Sequence, residues 1–136
     1  MLFQSPSFTT EELIRTAAAE SVSRVVLIQH STFYLFDNSY MIDAARKYPG
    51  KFKIVGMVDD HQPHPDVRMR RLAKQHVTGF RITPWIRDKG QTKRRGAWLA
   101  HPGMAAMWKC GAETGQAMCC LIDPPDLPYV DRMCAK

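Results

Sequence analysis

The sequence predicts an α/β fold of parallel βα repeats, and three observations carry that prediction. Four short runs rich in β-branched and other apolar residues begin near positions 24, 52, 78 and 117, and each stops at polar residues. A stretch with apolar residues at helical spacing follows every run. Strict alternation of this kind makes a crossover helix the simple connection, and strands joined that way pair in parallel.

Ser5 to Glu12 reads as a loop entering a helix, with Thr9 and Glu12 at capping-box spacing and Leu13, Ile14, Ala17 and Ala18 as a short apolar stripe. The first strand is Val25 to Ile28, a continuous apolar run suited to a strand covered on both faces, and it stops at Gln29 and His30. Asp37, Asn38 and Ser39 then suit the cap of a helix carrying Met41, Ile42, Ala44, Ala45 and Tyr48, which ends at Pro49-Gly50. A second strand from Phe52 to Val58 closes on Asp59 and Asp60. His61 to Pro65 is a turn, and a helix from about Asp66 to His76 presents Val67, Met69, Leu72 and Ala73.

The third strand, Thr78 to Ile82, ends with Arg81 and Thr83. Pro84 to His101 is the longest irregular stretch and holds Trp85, Trp98 and a basic cluster; loops of that length are commonly functional or disordered. Pro102 opens a helix with Met104, Met107, Trp108 and Ala112. The fourth strand, Ala117 to Ile122, stops at Asp123-Pro124-Pro125, and a last helix near Asp126 carries Leu127, Val130 and Met133 up to the end at Lys136. Such units build either a small open sheet or half of a barrel. A helix ahead of the first strand and a last helix without a terminator favour the half barrel.

Composition narrows the function classes. The 136 residues suit one domain with a real core, but amount to about half of an eight-stranded barrel. No apolar run approaches the roughly 20 residues of a membrane span, and no signal peptide is visible. Cys110, Cys119, Cys120 and Cys134 lack CxxC spacing, so reduced thiols in a cytoplasmic protein are expected. Most of the net charge of +6 sits in one loop, in Arg87, Lys89, Lys93, Arg94 and Arg95 against Asp88. That loop has no helical or RNP-type pattern, so nucleic acid is not the expected partner.

The stretches VVLIQHSTFYLFDNSYMIDAARKYPGKF, VTGFRI, WLAHPGMAAMW and AMCCLIDPPDLPYVDRMCAK together resemble the amidohydrolase-related (amidohydrolase-2) family of metal-dependent hydrolases. The resemblance implies a partial TIM (β/α)8 barrel of about four strands and five helices. Residues 1–136 would form strands two to five, without the first strand and the C-terminal half. It also implies a divalent metal, zinc or manganese, in the complete barrel. The family's His-x-His metal pair does not occur in this sequence, and no set of three ligands is seen to converge, so no metal and no independent catalysis are expected of this chain alone.

A parallel barrel gathers its site at the carboxyl ends of its strands. Gln29, His30, Asp59, Asp60, Arg81, Thr83 and Asp123 fall there, and Gln29, His30, Asp59, Arg81 and Asp123 are the candidate substrate-binding residues. Arg81 is the most informative, because its guanidinium can fork onto a substrate carboxylate or pair internally with a strand-end aspartate. His30 suits substrate orientation or acid–base work as well as a plain loop position. Asp59 suits a site carboxylate or the cap of the following turn, and Asp123 a metal ligand or a turn. His61 and His64 read as turn residues. The expected function is that of a fragment of a hydrolase, or related lyase, acting on a small carboxylated molecule. The alternative is a stand-alone module that binds an anion through residues 87–95, and open strand edges make a homo-oligomer possible.

Overall fold

A computed structural model describes residues 8–84 and 96–136. The basic cluster at 87–95 and Trp85 lie outside the described residues, and so does the anion-binding alternative built on that cluster. The elements run α1 (Thr10–Ala19), β1 (Val25–Ile28), α2 (Ser39–Lys47), β2 (Phe52–Gly56), α3 (Pro65–Ala73), β3 (Val77–Ile82), α4 (Pro102–Thr114), β4 (Ala117–Cys120) and α5 (Leu127–Cys134). Short 3-10 turns at Ala97–Ala100 and Pro124–Asp126 precede α4 and α5.

The four strands form one parallel sheet in the order β1-β2-β3-β4. Because every crossover adds its strand on the same side, and such crossovers are right-handed, the helices accumulate on one face. A doubly wound sheet instead reverses its order near the middle. The core agrees with single winding. Ile54, Phe80 and Ile82 from the sheet meet Met41 and Ile42 of α2, Met69 of α3, and Met104, Met107 and Cys110 of α4. The α/β prediction therefore holds as four parallel strands and five helices arranged as an arc of a TIM barrel.

The sheet's other face is open at β1, where Val26 and Ile28 are 52% and 56% exposed. This corrects the reading of β1 as covered on both faces: a continuous apolar run marks a strand whose two sides are both apolar, not one whose two sides are both packed. Val67, expected on the buried stripe of α3, is likewise exposed, and Met69 is the residue buried there. Strands β2 and β4 are each two residues shorter than predicted, and α5 ends at Cys134 rather than running through Lys136.

The Thr9–Glu12 capping box forms as predicted. α1 docks on α2 through polar contacts, with Thr10 Oγ1 3.1 Å from Tyr40 Oη and Glu11 Oε1 accepting from Lys47 Nζ at 2.8 Å and Tyr48 Oη at 2.6 Å. Those two donors hold the Glu11 carboxyl down at about 2.

Asn38 departs from the capping role. It stands at the N-cap of α2 but makes no side-chain cap bond. Its Oδ1 instead accepts from Met57 N at 2.9 Å and its Nδ2 donates to Met57 O at 2.9 Å and Phe36 O at 3.2 Å. Beyond β2 the chain has left the sheet ladder, so the buried amide of Asn38 supplies the partners that a neighbouring strand would. Gly56 permits this, since a Cβ there would lie 2.7 Å from Asn38 Oδ1.

Candidate functional site

The carboxyl ends of β2 and β3 and the turn before α4 enclose a cavity of about 270 Å³, lined by Phe36, Met57, Arg81, Thr83, Trp98 and His101 among others. This is slightly below the roughly 300–1,000 Å³ usual for ligand sites, which suits a small molecule. Asn38 steadies one wall, because it binds the backbone of both Phe36 and Met57.

Arg81 enters the cavity from β3, and its register neighbour on β4 is Cys119. One guanidinium N–H donates to the Gln29 carbonyl at 3.1 Å, across the end of β2. Of the two roles expected for Arg81, this internal tie is to a backbone carbonyl at the end of β1. Trp98 also lines the cavity, and its Nε1 is buried with no hydrogen-bond partner among the described residues.

Asp60 and His61, from the loop after β2, meet His101 at the N-terminus of α4. Asp60 Oδ2 lies 3.6 Å from His61 Nε2 and 3.6 Å from His101 Nδ1, and the two imidazoles stack with centroids 4.1 Å apart at 27°. The sequence explains how each limb is held. Asp59 Oδ1 accepts from His61 N at 2.9 Å, and Asp59 O from Gln62 N at 3.3 Å, which turns the loop tightly. On the other limb His101 caps α4, its Nδ1 accepting from Gly103 N at 3.2 Å, and Pro102 occupies the first turn where its missing N–H costs nothing. Gly103 packs directly on the Asp60 carbonyl, since a Cβ there would sit 1.7 Å from that oxygen.

The expected site residues divide accordingly. Arg81 lines the cavity. Gln29 is buried and ties the loop after β1: its Nε2 donates to the Asp37 carbonyl and its Oε1 accepts from His30 N at 3.2 Å. Its part in the site is therefore the carbonyl that holds Arg81. His30 is exposed, accepts from Thr32 N at 3.1 Å and packs against Phe33, away from the residues that line the cavity. Asp59 takes the turn-capping role and lines a separate cleft between α2 and α3 with Arg68 and Arg71. Asp123 caps the turn that its sequence suggested, its carbonyl accepting from Asp126 N at 2.9 Å.

His61, which reads as a plain turn residue, and His101, which reads only as the end of a loop, are the residues that sequence reasoning missed. Three ligand-competent groups do converge among the described residues, namely Asp60, His61 and His101, with donor atoms all within 4.8 Å. An Asp-His pair directly after one strand and a His-Pro-Gly helix start after the next are the signal that could have found them. Positions 61 and 101 are 40 apart in the chain, a gap that no local pattern bridges.

No protein-family model matches the chain, and no curated protein matches it in sequence. Its fold is similar to the crystal structure of a probable 2-pyrone-4,6-dicarboxylic acid hydrolase from Acinetobacter baumannii with citric acid bound, at a TM-score of 0.73 and 18% sequence identity. The match covers 96% of this chain and 48% of that one, so the chain spans about half the length of its structural neighbour. At that identity the likeness is one of fold.

Proposed function

We propose that the chain is part of a barrel hydrolase, or related lyase, of the amidohydrolase-related type, and that it binds a small carboxylated molecule through Arg81. The observation that carries the reading is the cavity at the strand ends, which Arg81 lines with one guanidinium N–H held by the Gln29 carbonyl. The structural neighbour adds support, being described as a hydrolase of a dicarboxylic acid and holding citric acid.

In this reading the Gln29 carbonyl fixes the guanidinium by one of its five N–H groups, leaving the rest of the fork for a carboxylate. A divalent ion in such barrels polarises a carbonyl or activates water. The residues present do not fit the family's own metal position: the sequence has no His-x-His pair, and Asp123 is not among the groups that cluster. The work assigned to this chain is therefore recognition and orientation, and the isolated 136 residues are proposed to be inactive. A small-molecule substrate and a cytoplasmic setting belong to the same proposal. No described helix is long and apolar enough to cross a membrane.

Titration calorimetry with citrate and with 2-pyrone-4,6-dicarboxylate tests the reading. Losing a charge-assisted fork is worth about 1.5–3 kcal/mol, so Arg81→Gln should weaken binding by about 10–150-fold. Arg81→Lys should weaken it too, because an ammonium cannot fork. Far-ultraviolet circular dichroism of both variants checks that the fold survives loss of the Gln29 contact. Equal affinity in wild type and both variants would sink the assignment.

A further inference from the structure

We propose that Asp60, His61 and His101 form a binding site for a divalent transition-metal ion of the zinc class, where the loop after β2 meets the N-terminus of α4. The distances carry the argument. Each imidazole nitrogen lies 3.6 Å from Asp60 Oδ2, beyond the roughly 2.7–3.2 Å of an N–H···O hydrogen bond. Zinc bonds of about 2.0–2.2 Å at tetrahedral angles hold donor atoms about 3.4 Å apart. Asp60 Oδ2 thus stands too far from either imidazole for a normal hydrogen bond and close to the separation that a shared ion imposes, and since all three donor atoms lie within 4.8 Å of one another, a small turn of the stacked imidazoles would close the set.

The donor types agree. Two imidazoles and a carboxylate suit zinc and its neighbours in the first transition row better than magnesium or calcium, which prefer all-oxygen sets. Three protein ligands leave one position open, and the open side is the cavity that Asp60, His61 and His101 share with Arg81. Both limbs are held before any ion arrives: the Asp59 carboxylate accepts from His61 N and fixes that turn, and Gly103 packs on the Asp60 carbonyl beside His101.

The site has a built-in reporter. His101 Nδ1 accepts the Gly103 N–H at 3.2 Å. An ion on Nδ1 takes that lone pair directly, and an ion on Nε2 moves the imidazole proton to Nδ1; either way Gly103 loses its acceptor. This inference needs neither the carboxylate reading nor the family's histidine pair.

The test uses the metal-free full chain in buffer without citrate, with the ion as the only ligand. Calorimetry with Zn2+ should give one saturable site, and Co2+ should give a tetrahedral visible spectrum without a thiolate charge-transfer band. The Gly103 amide resonance should shift with the same titration curve. Asp60→Asn, His61→Gln and His101→Gln should each cost more than the roughly 10–100-fold that loss of an outer-shell partner costs. His61 is exposed, so its replacement leaves the fold intact and keeps the test decisive if the other two variants misfold. Replacing Cys119, Cys120 and Cys134 with serine should leave affinity unchanged. Absence of a saturable site, affinity indifferent to His61→Gln, a thiolate band, or an unmoved Gly103 amide would each overturn the proposal. Failure of citrate binding would leave it standing.

Discussion

Replacing Asn38 with alanine removes two buried hydrogen bonds at the end of β2, both 2.9 Å long and both to the backbone of Met57, which is itself 2% exposed. Each orphaned backbone group costs about 1–3 kcal/mol, so the variant should lose about 2–6 kcal/mol, the lower end applying where water enters the space left by the amide. For 136 residues the total stability is on the order of 7–20 kcal/mol, of which this is a large share. At about 3–5 °C per kcal/mol for a chain of this size, Tm should fall by roughly 10 °C or more. Thermal unfolding followed by circular dichroism at pH 7 measures the change. Asn38→Asp separates hydrogen bonding from packing, because it keeps the shape and the acceptor for Met57 N but sets a carboxylate against the Met57 and Phe36 carbonyls. That environment raises the introduced carboxyl's pKa above its unfolded value of about 3.9. The penalty is then fully present above the folded pKa and shrinks as pH falls through it, when the protonated group can donate. Asn38→Asp should therefore be weak at pH 7 and partly rescued near pH 4. A Tm change under about 3 °C in Asn38→Ala, or no acid rescue in Asn38→Asp, would refute the assignment of Asn38 as the partner of Met57.

Three further outcomes concern other parts of the molecule. Glu11 is held at about 2 by its hydrogen bonds to Lys47 and Tyr48, so its stabilising contribution is present above the unfolded carboxyl value of 4.5 and disappears as pH falls through about 2. Acid unfolding of Glu11→Gln should accordingly be shallower between pH 4.5 and 2, and identical acid titrations of the two proteins would contradict the role. Gly103→Ala forces a methyl group onto the Asp60 carbonyl and should cost about 1–3 kcal/mol by overpacking, while the His61 and His101 ring resonances lose their mutual ring-current shifts; an unchanged Tm and unchanged ring resonances would show that α4 does not rest on Asp60. Finally, β1 and β4 are edge strands and Val26 and Ile28 are exposed, so sedimentation at rising concentration should show self-association. A monomer at every concentration would count against it.

The order of elements was legible in the chain itself, because strand, turn and helix signals are local. Thr9 with Glu12, Pro49-Gly50 and Pro102 act on their immediate neighbours, and the structure places α1, the end of α2 and the start of α4 accordingly. Arg81 could be singled out for the same reason, as a charged residue within an otherwise apolar strand. What a side chain does across the sheet was not legible. Asn38 has the composition of a cap and serves β2, since its partner Met57 lies 19 residues away; Asp59 and His30 have the composition of site residues and are used by their own turns. The choice between half of a barrel and a small open sheet also waited for the tertiary structure, because one helix between two strands satisfies either arrangement locally. Asp60, His61 and His101 came together only through the strand order. Parallel strands β2 and β3 bring their carboxyl ends to the same edge, and the absence of a side chain at Gly103 lets α4 close on the Asp60 carbonyl.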